Sequence, residues 1–169
     1  MDIAKPYIDR LFNKSICYCQ DECKLHYKSS DLLYFMKNDT LPEIQFLLGY
    51  YYLARDKEKG LKYIKLSIDG GYKAAYNLMG CYDDGKEGHN RIEYFTKALE
   101  AEYPRAYSNL ANEYVTLKND DEAKKYLQMG IDQGILCCET TMLNYYDKNN
   151  MDKCKILAEK GCLLALRML

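Results

Sequence analysis

Tryptophan is absent from this 169-residue chain, proline occurs three times, phenylalanine four times and histidine twice. Two histidines, His26 and His89, leave little scope for imidazole-based acid–base or nucleophilic chemistry. No Gly-rich phosphate loop, no Gly-x-Ser-x-Gly elbow and no His-Glu-x-x-His occurs, so the expectation is a protein that is not an enzyme and carries no cofactor. An excess of one charge is lacking too: 24 Lys and Arg against 25 Asp and Glu leave a net charge of -1. That balance speaks against sequence-independent nucleic-acid binding, which needs clustered cations to displace phosphate counterions, and against anionic membranes. Uninterrupted apolar runs of about 18 residues, the length that spans a bilayer, are missing. The start, Met1-Asp2-Ile3-Ala4-Lys5-Pro6, has no apolar stretch of the secretory kind, so the expected compartment is the cytoplasm.

What the chain does contain is globular in balance, with 48% apolar and 29% charged residues, enough for one domain. Eighteen tyrosines, with many Lys and Asn, fit an AT-rich genome, a bias some large DNA viruses show. For a viral source the compartment would be the host cytoplasm. Eight cysteines, at 17, 19, 23, 81, 137, 138, 154 and 162, are read as reduced thiols.

From Pro42 onward the chain resembles itself when slid by 31 residues. Gly49 falls on Gly80, Tyr51 on Tyr82, Tyr63 on Tyr94, Ile68 on Leu99, Tyr72 on Tyr103 and Ala75 on Ala106. A further slide of 32 carries Tyr94 to Tyr126 and Leu99 to Ile131. Cys138 stands where the other units have Ala75 and Ala106, so it is expected to act as a small packing residue. Helical periodicity at this period predicts stacked units that bury their apolar stripes only against one another.

Pro42 and Pro104 each open a helical pattern, as proline can in a first turn, and Pro6 does the same for an N-terminal helix. Asp56, Asp120 and Asn150 stand where N-caps belong. Breaks recur at Gly70-Gly71, Glu102-Tyr103, Gln133-Gly134 and Lys160-Gly161. The expected fold is all-α: a right-handed α-solenoid of stacked antiparallel helix pairs, about four to five repeats. The pairs are placed at 42–54 with 57–69, 72–83 with 90–101, 104–117 with 121–132, and 135–146 with 151–160. Residues 1–41 form a divergent N-terminal helical unit with stretches near 6–18 and 29–38, 42–161 the array, and 162–169 a helix of an incomplete repeat.

The segment Ala75-Tyr76-Asn77-Leu78-Met79-Gly80-Cys81-Tyr82 resembles the first helix of a Sel-one-like repeat, a relative of the tetratricopeptide repeat. Leu48-Gly49-x-x-Tyr52 and Leu110-Ala111-x-x-Tyr114 match its Leu-Gly-x-x-Tyr core, while Leu143 replaces the glycine in the fourth unit. Ile68-x-x-Gly71, Ile131-x-x-Gly134 and Ala158-x-x-Gly161 are similar to the end of the family's second helix. The resemblance implies a scaffold or adaptor that binds another protein or peptide. Small residues at 49, 80 and 111 would let the paired helix approach closely.

In such stacks the first helix of each pair lines the concave surface. Registered on Gly49, Gly80, Ala111 and Leu143, the groove stripe reads Glu43, Phe46 and Tyr50, then Asn77, Cys81 and Asp84. It continues with Arg105, Ser108 and Asn112, then Thr140, Asn144 and Asp147. Phe46 and Tyr50 would supply an apolar anchor, and the amides of Asn112 and Asn144 would pair with a peptide backbone. Tyrosines 52, 63, 94, 114, 126 and 146 fall at repeat-core spacing and are expected to be buried. A second reading is a homo-oligomer joined through the apolar segment 162–169. A third is zinc held by Cys19, Cys23 and His26, which would share a helix face, with Cys17 pointing away. That spacing matches no zinc finger and favours free thiols.

Overall fold

Regular structure in the computed structural model, which describes residues 3–14, 27–82 and 91–169, is entirely helical among those residues. The helices are α1 (Lys5–Leu11), α2 (Ser29–Lys37), α3 (Pro42–Leu53), α4 (Lys57–Asp69), α5 (Ala75–Tyr82) and α6 (Arg91–Leu99). They continue with α7 (Arg105–Thr116), α8 (Asp120–Asp132), α9 (Leu136–Tyr146), α10 (Met151–Glu159) and α11 (Leu163–Met168). The chain divides into two compact units, residues 1–12 with 25–106, and residues 13–24 with 107–169.

Helix starts follow local chemistry. Pro42 stands in the first turn of α3, where its missing N–H has no helical partner to lose. Asp56, Asn119 and Asn150 cap α4, α8 and α10 by accepting from the N–H three residues on. Asn119 therefore takes the role expected of Asp120, which lies inside the first turn of α8. α5 begins later than expected because Ala75 and Tyr76 donate three residues back, to Tyr72 and Lys73, in tight turns.

The second helix of each pair ends in one recurrent closure. Residues Gly71, Glu102, Gly134 and Gly161 have φ of 90°, 52°, 73° and 83°. The following N–H reaches back five residues in each case: Tyr72 to Ser67, Tyr103 to Ala98, Ile135 to Gly130 and Cys162 to Leu157. N-cap and left-handed residue are 15 positions apart for Asp56–Gly71 and Asn119–Gly134 but 11 for Asn150–Gly161, so α10 is shorter by four residues, about one turn.

Within pairs the helices run antiparallel. Pro42 accepts from Ser67, Gly49 faces Ile64, Tyr52 stacks on Tyr63 and Leu53 lies on Gly60, so contacts climb one helix as they descend the other. Close approach depends on small residues, as the sequence suggests. A Cβ at Gly80 would stand 2.7 Å from the Phe95 ring, and one at Gly49 would collide with Ile64. Cys138 is fully buried against Gly130, in the small-residue role expected of it.

The first unit's core joins Phe35, Ile44, Phe46, Leu47, Leu48, Ile64, Leu78 and Tyr103, with Leu11 from α1 and Ala4 just before it. The second unit buries Ala111, Leu127, Ile135 and Cys138 in one cluster, and Leu143, Cys154, Leu157, Cys162 and Ala165 in another.

Candidate partner-binding surface

Residues three before the small-residue position do not face outward. Phe46 and Asn77 are fully buried, and Ser108 and Thr140 are 7% and 4% exposed. The physical reason is local: on a helix, i and i−3 share a face, and for Phe46, Ser108 and Thr140 the start of the following pair lies against it. Phe46 meets Tyr72 at 5.1 Å and Tyr103 at 6.5 Å between ring centres. Ser108 donates to the Cys137 sulfur at 3.5 Å, and the Asn77 amide to the Cys81 sulfur at 3.9 Å. Thr140 donates to the Leu136 carbonyl at 3.0 Å and lies 3.5 Å from the Cys162 sulfur. These four residues pack the interior rather than lining a groove, a correction to the expected stripe.

Residues one past the small position remain accessible. Tyr50 is half-buried and Cys81 exposed in the first unit; Asn112 and Asn144 are half-buried in the second. Glu43 and Arg105 are half-buried, and Asp147 is held by Lys153 at 2.7 Å. Asp84 lies outside the described residues, as do Cys17, Cys19, Cys23 and His26. Among the described residues no cluster of three potential metal ligands occurs.

No family model, curated protein or solved structure matches this chain.

Around Tyr50 the first unit is aromatic. The Tyr27 hydroxyl donates to the Leu47 carbonyl at 2.8 Å, and its ring stacks on Tyr7 at 5.1 Å and meets Phe35 and Tyr51 edge-on. Burial pushes the Tyr27 phenol well above its ordinary pKa, and the neighbouring Tyr50 and Tyr7 phenols add to the effect. The expected apolar anchor at Phe46 is thus closed over by the chain's own residues.

The tyrosines placed in the core by their spacing are half-buried instead. Tyr52 stacks on Tyr63 at 5.7 Å, Tyr114 on Tyr126 at 5.5 Å and Tyr76 on Tyr94 at 6.1 Å, each across its helix pair. Tyr63 opens onto a cleft of about 470 Å³ with Asp39, Asp56, Lys59, Lys62 and Leu66. Several of its polar groups have partners in the protein. Tyr63 donates to Asp39 at 3.1 Å, Asp56 caps α4, and the Lys59 ammonium sits 3.9 Å over Tyr52. Sequence spacing gave no sign of this cleft, because Asp39 reaches it from outside the repeat.

At residues 162–169 the apolar segment is only partly covered. Cys162 and Ala165 are fully buried, and Leu164 and Met168 pack beside them, while Leu166 and Leu169 stay 49% and 54% exposed. Among the described residues no helix is long and apolar enough to cross a membrane.

Proposed function

We propose that the protein is a non-catalytic scaffold or adaptor, a right-handed α-solenoid of Sel-one-like repeats that binds a partner peptide or helix through its first helices. The observation that carries this is the register one past the small residue. Tyr50, Cys81, Asn112 and Asn144 stay accessible, while every residue at the register three before it is buried. Within each unit the buried residues pack inward, and the accessible ones are left for recognition. Asparagine amides both donate and accept, which suits a peptide backbone. Cytoplasm, or host cytoplasm for a viral source, is the compartment that fits eight thiols and this composition.

The test is to change Tyr50, Asn112 and Asn144 to Ala together and compare partner capture with the wild-type chain, checking helicity and melting of both. Undiminished recovery by a normally folded triple variant moves the site elsewhere. A second reading, self-association, is favoured by Leu166 and Leu169, which stay open to solvent beside a buried face. Sedimentation separates the two: a monomer whose state and solubility are unchanged by Leu166→Ser with Leu169→Ser removes the homo-oligomer.

A further inference from the structure

We propose that the α3–α4 turn of the first unit is a docking point for an acidic peptide segment, with Arg55 and Lys59 receiving two of its carboxylates. This rests on the partner-binding reading above, since Tyr50 precedes the turn on α3, and it names the chemistry of the partner.

Charge is spread unevenly along this chain. Residues 55–65 hold five cations, Arg55, Lys57, Lys59, Lys62 and Lys65, against two carboxylates, within a chain of net charge -1. Among the described residues none of the five lies in an ion pair, whereas Lys97 and Lys125 are held by Glu93 and Glu122 about one turn away. The carboxylate three residues before Lys59 is Asp56, and it is used as the cap of α4, accepting from the Lys59 N–H. Glu58 stands in the first turn of α4, where the helix dipole offsets its charge, and Asp39 accepts from Tyr63 at 3.1 Å.

Arg55 and Lys59 are also held in place. The Arg55 guanidinium lies 3.9 Å over the Tyr51 ring and donates to the Tyr51 carbonyl at 2.8 Å, and the Lys59 ammonium lies 3.9 Å over Tyr52. Lys97 and Lys125 sit farther from their rings, at 5.1 Å and 5.6 Å. Tyr51 and Tyr52 meet edge-on at 5.1 Å, Tyr27 packs on Tyr51 at 5.7 Å and Tyr63 on Tyr52 at 5.7 Å, so the fold fixes both platforms. Both cations are exposed, and the guanidinium has donors beyond the one it uses here. A cation already held in position costs less ordering when a carboxylate arrives. Tyrosine and arginine are also the residue types that concentrate binding energy at protein interfaces. Two placed cations suit side-chain carboxylates, whereas a nucleic-acid backbone needs a longer basic track that a net charge of -1 does not favour.

The probe is a fluorescent peptide of alternating Glu and Ala, titrated against the full chain, with the matching Gln and Ala peptide and a labelled single-stranded RNA as comparisons. The chain should bind the Glu peptide and not the Gln peptide. Binding neither, binding both alike, or binding the RNA more tightly overturns the proposal. Arg55→Gln with Lys59→Gln should weaken Glu-peptide binding at least tenfold. Lys62→Gln with Lys65→Gln makes the same change of charge on cations with no tyrosine beneath them, and should leave binding within twofold. Equal losses in the two variants would mean that net charge alone attracts the peptide, and would overturn the assignment to Arg55 and Lys59. If the first variant does not fold, amide shifts on the wild-type chain decide the matter. They should be largest at residues 50–59 when the Glu peptide is added, and a maximum elsewhere overturns the site. The titration reads the cations of the α3–α4 turn, so it can fail while the test at Tyr50, Asn112 and Asn144 succeeds, and the reverse.

Discussion

Gly60→Ala adds a single methyl where α4 lies against the backbone of α3. Its carbon would stand 2.7 Å from the Leu53 nitrogen, 2.9 Å from the Leu53 Cα and 2.9 Å from its Cγ. Ordinary carbon contacts lie near 3.5–4.0 Å, and two of these three neighbours are backbone atoms that no rotamer change can move aside. Alanine gains about 1 kcal/mol of helix propensity over glycine. Overpacking costs about 1–3 kcal/mol, and the upper part of that range applies where backbone must shift. The expected net loss is about 1–2 kcal/mol, which at this chain length lowers the melting temperature by roughly 3–6 °C in a circular-dichroism melt. Ala123 occupies the same place in α8, four residues past its N-cap, and is native there. Ala123→Gly should therefore also destabilise, by about 1 kcal/mol, through lost propensity. A Gly60→Ala protein that melts at or above the wild-type temperature refutes the claim that close approach selects glycine at position 60.

Glu102 holds the left-handed closure with φ of 52°, where three sister positions have glycine, so Glu102→Gly should raise stability by about 1 kcal/mol in urea unfolding; a loss would contradict the strain. Asn119→Ala should cost about 1 kcal/mol by removing the α8 cap, and Asp121→Ala only the smaller dipole term, so a reversed order in thermal melts rejects Asn119 as the cap. Burial, with Glu43 nearby, pushes the Tyr72 phenol up to about 12. Because the folded pKa is raised, the contribution of this phenol is intact below pH 10 and is lost as pH climbs through 12. Tyrosinate absorbance of the folded chain should show a late step that shrinks in Tyr72→Phe, and a titration complete near pH 10 would contradict it.

The helix ends were legible because their chemistry is local. Pro42 and the glycines at 71, 134 and 161 act through their own backbones, and the Asn150 side chain acts on an N–H three residues on, whatever packs nearby. Gly49 and Gly80 were legible through the periodicity, since a missing side chain at a core register has few other uses. The candidate surface was harder. Whether Ser108 and Thr140 face water or a neighbouring pair depends on what the start of that pair brings to them, and the polarity of these residues and of Asn77 pointed the wrong way. Each hydrogen-bonds inside the protein, which lets a polar side chain stand in a core. Asn119 and Asp120 are adjacent residues of equal capping ability, so only geometry could choose between them. The packing of α1 was invisible for another reason: it sets Tyr7 against Phe35 and Phe12 against Tyr103, residues far apart in the chain that follow no period.

The four residues missing between Asn150 and Gly161 have a consequence for how this architecture can change length. Removing about one turn shortens a helix yet leaves every remaining side chain on its original face, so Cys154 and Leu157 still point inward. Removing two residues would instead rotate the rest of the helix by roughly half a turn and drive charged side chains into the core. Length in this scaffold therefore comes in steps of three to four residues. Helices α4, α8 and α10 are each a cassette with a side-chain cap at one end and a left-handed closure at the other, and whole turns can be lost or gained between them.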